Sequence, residues 1–133
     1  MDSMPEPLKA RFVSHALYTK RDIGAERFHV SNPLVFYSAL LGRRIVVPIG
    51  FETDFASIPW FLQSLIQVNG PHIHAAVLHD FLCEYKGAFG INQQQADQVF
   101  LEAMECLNVR VIQRRAMYRM VRVYQSIKGW FQR

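Results

Sequence analysis

The sequence predicts an α+β fold: a small N-terminal antiparallel β-meander packed on three to four C-terminal α-helices. Three observations carry that expectation. Short β-branched and aromatic runs, separated by Gly, Pro and Asn, fill the first fifty residues. After Pro71 the apolar residues recur at helical spacing. The chain has 133 residues, of which 50% are hydrophobic, about one domain with one sizeable core.

Met1 to Lys9 reads as a loose arm, and residues 1–133 as a single domain. Arg11 to Tyr18 contains a β-prone run. Thr19 to Arg27 is polar, with Gly24 as a turn residue. Phe28-His29-Val30 and Leu34-Val35-Phe36-Tyr37 are strand-like, broken by Asn32-Pro33. Ile45 to Ile49 is another β-branched run, in which Pro48 belongs at an edge or a strand end because it has no N–H. Three to five strands are expected in all. In Gly50 to Pro59 (G-F-E-T-D-F-A-S-I-P), Thr53 and Asp54 are expected to form a polar turn. Ser57 is placed to cap a short helix suggested by Pro59, Trp60, Phe61, Leu62, Leu65 and Ile66. Asp54, between Phe51 and Phe55, needs a partner for its carboxylate.

The stretch from Asn69 to Leu107 organises the rest. Pro71 is suited to the first helical position. Ile73, Ala76, Val77 and Phe81 form one apolar face. His79 and Asp80 sit mid-helix, about 100° apart round the axis. A second helix starts near Asn92, with Ala96, Val99, Phe100, Ala103 and Leu107 as its stripe and Asp97 at the stripe's edge. A Gly-bounded link, Gly87 to Gly90, favours an antiparallel hairpin that turns Asp97 towards His79. A last helix or helix pair runs from about Val109 to Phe131. Its apolar side is read as Ile112, Ala116, Met117, Met120, Tyr124 and Ile127, with Arg115, Arg119 and Arg122 opposite. Trp130 and Phe131 either dock on the core or form a patch for a partner or membrane.

Net charge is +4, unevenly spread. From Cys106 onward there are seven basic residues and no acid, so the remainder carries a net of −3. A basic end suits phosphates or an acidic protein surface, though most such faces are simply solvated. It lacks interleaved aromatics in a recognisable nucleic-acid motif, which counts against nucleic acid. No apolar run is long enough to span a bilayer, and the acidic, Pro-containing start does not read as a secretion signal. Cys83 and Cys106 have no CxxC spacing and read as reduced, packed thiols. His79 and Cys83 lie one turn apart, a spacing that also suits two ligands of a transition metal such as zinc. His72 and His74 fall near the helix start, where surface histidines are common.

Two stretches together, Gly50 to Pro59 and A-A-V-L-H-D-F-L (Ala75 to Leu82) followed by A-D-Q-V-F-L-E-A-M (Ala96 to Met104), carry a family resemblance. They resemble the phage and prophage family catalogued as domain of unknown function 1353. The resemblance implies a bacteriophage protein, in the virion or the infected host cytoplasm, whose partners are other phage proteins or a host envelope component. Similar proteins often carry an Arg shortly before the Asp of the second helix. Here Gln93-Gln94-Gln95 stands there, so that carboxylate's partner is missing or comes from elsewhere. The helix pair alone is distantly similar to phospholipase A2 proteins. That likeness implies a hydrolase in which His79 is the general base, Asp97 holds its ring and Asp80 binds calcium; Asp54 and Ser57 are further candidates for the same site, read from this chain and not from the likeness. The Gly-rich loop that completes the calcium site in that family has no counterpart between Gly50 and Pro71. The alternative is a non-enzymatic tail or assembly component in which the same residues form a structural polar network.

Overall fold

A computed structural model describes residues 8–14, 18–20, 27–54 and 72–131. Six short strands come first: β1 Arg11–Ser14, β2 Tyr18–Lys20, β3 Arg27–Val30, β4 Leu34–Ser38, β5 Arg43–Val47 and β6 Glu52–Asp54. Four helices follow: α1 Ile73–Glu84, α2 Lys86–Phe89, α3 Gln93–Cys106 and α4 Val111–Phe131. The α+β class is as expected. The strands form two three-stranded antiparallel sheets, ordered β1-β4-β5 and β2-β3-β6. Hairpins join β2 to β3 and β4 to β5, while β1 and β6 pair with strands distant in sequence.

Alternation explains the first sheet. Leu34, Phe36 and Ser38 of β4 are buried and the residues between them are half-buried. Leu34 pairs with Val47 and Phe36 with Ile45, so apolar residues meet across the ladder on one face. Each such buried side chain contributes about 1.5–3 kcal/mol. In the second sheet, Thr53 and Asp54 lie in β6 and not in a polar turn. The turn falls earlier, at Gly50, whose φ of +88° is natural for glycine. The chain then runs back along β3, with Asp54 opposite Arg27 in the register.

Helix α1 departs from the amphipathic expectation. Ala75, Ala76, Val77, Leu78, Phe81 and Leu82 are all buried, as are His74 and His79. A helix apolar on all sides is a core helix. His74 is therefore no surface residue: it is 6% exposed, with its ring 5.9 Å from that of Phe12. Pro71 lies outside the described residues. The Gly87–Gly90 link is itself helical (α2), and Gly90 closes it at φ +66°.

Helix α3 is the hub. It packs on α1, on α4 and on strands β1 and β4. Its start follows from Asn92 and Gln95. The Gln95 N–H donates to Asn92 Oδ1 at 2.8 Å, and the Asn92 N–H donates to Gln95 Oε1 at 2.9 Å. That reciprocal pair satisfies two amides otherwise left open at the helix start. Its end is equally defined. Asn108 takes φ +60°, its N–H donates to the Glu105 carbonyl, and the Val109 N–H donates to the Met104 carbonyl. Val109 is buried there, fixing the path into α4.

Helix α4 sits about a quarter turn away from the expected orientation. Met117 and Val121 are buried, whereas Ile112, assigned to the apolar side, is 85% exposed. Ile127 is exposed as well. The rotation carries Arg122 towards α3. The side chains of Trp130 and Phe131 lie outside the description.

Candidate functional site

Three helices meet at Asp97. It is fully buried, not at the edge of the α3 stripe. His79, on α1, places Nε2 2.7 Å from Asp97 Oδ1. Arg122, on α4, donates from Nη1 to Asp97 Oδ2 at 2.7 Å. Gln93, one turn before Asp97 on α3, donates to Oδ1 at 2.8 Å. Both oxygens of one carboxylate are thus taken up by donors from three helices, two of them able to carry charge. The His79 ring also lies against Phe100, centroid to centroid 4.7 Å, which fixes its plane from one side.

Cys83 completes the cluster. It lies one turn after His79, on the same face of α1. Its Sγ is 3.5 Å from His79 Nε2, and the Gln93 amide donates to it at 3.2 Å. Lys86 donates to Gln93 Oε1 at 2.6 Å and so orients that amide, with its N–H group towards the sulfur and the carboxylate. Cys83 is partly exposed, while His79 is 5% exposed.

The electrostatics follow from these contacts. Burial alone would pull the His79 pKa down. The bond to Asp97, the contact with Cys83 and the nearby negative charges outweigh it and raise the pKa to about 9. Burial would push Asp97 up, but His79, Arg122 and Gln93 hold it below the usual carboxylate range. Burial would likewise raise the Cys83 thiol, yet His79 and then Gln93 bring it below its ordinary value, against the opposing charge of Asp97.

The chain belongs to the family described as "Protein of unknown function (DUF1353)". The family's model matches residues 28–121, which include His79, Cys83, Gln93 and Asp97. Arg122 lies one residue beyond that span. No curated protein and no solved structure matches the chain.

Of the residues singled out by sequence, His79 and Asp97 are brought together. Asp80 follows His79 on α1 and is half-buried. Asp54 is placed on β6 by its backbone only; its side chain, and Ser57 entirely, lie outside the described residues. Arg122 and Gln93 are the additions. The missing partner of the Asp97 carboxylate does come from elsewhere: an Arg from α4 in place of one shortly before Asp97. The apolar periodicity of α4 puts Arg122 on the opposite side of its helix. Gln93 stood in the segment singled out, and its i, i+4 spacing to Asp97 was the available signal.

The donor set bears on metals. His79, Cys83 and Asp97 present ligand atoms within 4.8 Å of one another. Nitrogen, sulfur and one carboxylate suit a transition metal better than calcium, which takes six to eight oxygens. Calcium therefore does not fit this cluster. No helix among the described residues is long and apolar enough to cross a membrane.

Proposed function

We propose that this DUF1353 protein is encoded by a phage or prophage. In this reading it is a hydrolase centred on His79 and Asp97, acting on ester or related bonds of the host envelope that a phage must cross. It works in the virion or the infected host cytoplasm, alongside other phage proteins. The observation that carries the reading is the 2.7 Å contact between His79 Nε2 and Asp97 Oδ1. A buried carboxylate on one imidazole nitrogen fixes the tautomer and stabilises the imidazolium, the pairing that proton-transfer catalysis needs. Shifted proton affinities at two adjacent groups point the same way. Asp80, where the phospholipase likeness would put calcium, contributes a single carboxylate, and no step here depends on that ion.

The test compares the purified protein with His79→Ala on lipid vesicles and on cell-wall fragments, with and without calcium. The intact protein should release product, and His79→Ala should slow it by about a hundredfold or more. Equal rates, or no product from either, would remove the hydrolase reading.

A second reading has its own support. Asp97 is fully buried and saturated by donors from three helices, as a network that specifies helix packing would be. In that reading the chain is a non-enzymatic tail or assembly component.

A further inference from the structure

We infer that Cys83 is the nucleophile of this site, attacking an acyl carbonyl and carrying the acyl group as a thioester. The acyl substrate class rests on the hydrolase reading; the reactivity of the sulfur rests on geometry alone. Sγ faces His79 Nε2 at 3.5 Å and takes an N–H from Gln93 at 3.2 Å. Both neighbours stabilise a thiolate over a thiol. Cys83 is also partly exposed, whereas Asp97 is fully buried.

A charge count separates a nucleophile from a metal ligand. With thiolate and imidazolium present, Cys83 and Asp97 are negative and His79 and Arg122 positive, and the cluster balances. Lys86 adds its charge only at the rim, through Gln93. A divalent metal in place of the proton on His79 would leave one uncompensated positive charge in a largely buried site. It would also meet the N–H groups of Gln93 and Arg122 already directed at the sulfur and the carboxylate. Those donors suit anions. The directions of the proton affinities agree, with His79 raised and Cys83 lowered.

One feature differs from a Cys–His–Asp relay. Sulfur and carboxylate approach the same ring nitrogen, and the carboxylate is closer. Asp97 therefore holds the ring, and the sulfur sits beside the same N–H. The thiolate attacks the carbonyl carbon of an ester and a C–S bond forms. The C–O bond to the alcohol then breaks, and the departing oxygen takes a proton from the imidazolium of His79. A water attacks the thioester in turn, giving one proton back to His79. The C–S bond breaks, and acid, thiolate and imidazolium result.

Cys106 is the internal control. Its Sγ donates to the Ala10 carbonyl at 3.2 Å, and burial with Glu102 and Glu105 nearby pushes its pKa up. The full chain is treated with p-nitrophenyl acetate, and acetylation of each cysteine is read by peptide mass. Acetyl on Cys83 at least about tenfold faster than on Cys106 is expected at about pH 7, where an ordinary thiol is mostly protonated. Equal labelling, or none on Cys83, overturns the inference. Ultraviolet thiolate absorbance across pH, in the intact chain and in Cys83→Ser, is independent of whether a His79 variant folds. A thiolate signal lost in Cys83→Ser and formed below the ordinary thiol range is required; its absence also overturns the inference. Failure on vesicles and cell wall with normal acetylation of Cys83 would remove the hydrolase reading and leave the nucleophile standing. Normal turnover by Cys83→Ser would do the reverse.

Discussion

Among the carboxylates of helix α3, Asp97 and Glu102 are each saturated, in different chemistry. Asp97, near its start, is held by His79, Gln93 and Arg122. Glu102, further along, accepts from Ser38 Oγ at 2.7 Å and from the N–H groups of Ala39 and Leu40 at 3.0 and 3.1 Å. Glu102 thereby pins the β4–β5 turn to α3, and Ser38 Oγ also accepts from the Leu41 N–H. Neutral donors fix a shape and hold no proton in reserve. The donors at Asp97 include a histidine whose own proton affinity changes in return. The same side-chain class thus fastens a hairpin at one place and builds a titratable cluster at the other.

The largest expected effect separates the two by stability. Asp97→Asn removes the counter-charge of both Arg122 and His79 and should cost about 3–5 kcal/mol. Glu102→Gln, at a half-buried position, should cost about 1–2 kcal/mol, because the amide oxygen still accepts one bond. Urea unfolding of both variants checks this. Equal losses would mean that charge adds nothing at Asp97.

The pH dependence of stability is a finer discriminator. The folded pKa of His79 lies above its unfolded value of about 6.5. Its stabilisation is therefore complete below 6.5 and is lost as pH rises through about 9. Cys83 has the opposite sign. Its folded pKa lies below the unfolded 9.0, so its contribution is complete above 9.0 and is lost as pH falls through the folded value. Between those limits the two oppose each other in the intact protein. Cys83→Ser removes the Cys83 contribution and leaves the part of the His79 contribution that Asp97 supplies, so its urea midpoint should fall as pH rises above about 6.5. The intact chain should show a flatter profile, and Glu102→Gln should follow the intact chain. Parallel profiles for Cys83→Ser and the intact protein would break the asymmetry between the two carboxylates.

Parts of this arrangement were legible in the sequence, for identifiable reasons. Asn92 and the apolar stripe beginning at Ala96 marked α3, and a short link made a hairpin that set Asp97 against His79. The partners of Glu102 were not legible, because two of its three donors are backbone amides that any residue supplies. The pairing of β1 with β4 and of β6 with β3 was hidden because neither is between neighbours in sequence. Cys83 was visible at one turn from His79, but spacing alone does not distinguish a metal ligand from a nucleophile. Arg122 was missed because α4 has apolar residues around most of its girth. Periodicity groups Ile112 and Ile127 with Met117 and leaves out Val121, whereas burial centres on Met117 and Val121, and periodicity alone does not choose between those two faces. The left-handed turn at Asn108 and the burial of Val109 accompany the choice.

The smallest effect tests that choice, on which the whole Asp97 side of the comparison depends. Ile112 is 85% exposed, so Ile112→Ser should shift stability by no more than about 0.5 kcal/mol. Met117, buried against the core, should cost about 2–5 kcal/mol as Met117→Ala. Both substitutions remove apolar surface from one helix, so a difference in helix propensity does not account for a gap of that size. If Ile112→Ser were the more damaging, α4 would present its other face to α3. Arg122 would then point away from Asp97, leaving a buried carboxylate with His79 as its one charged partner among the described residues, and the pairing of charges around Cys83 would be lost with it.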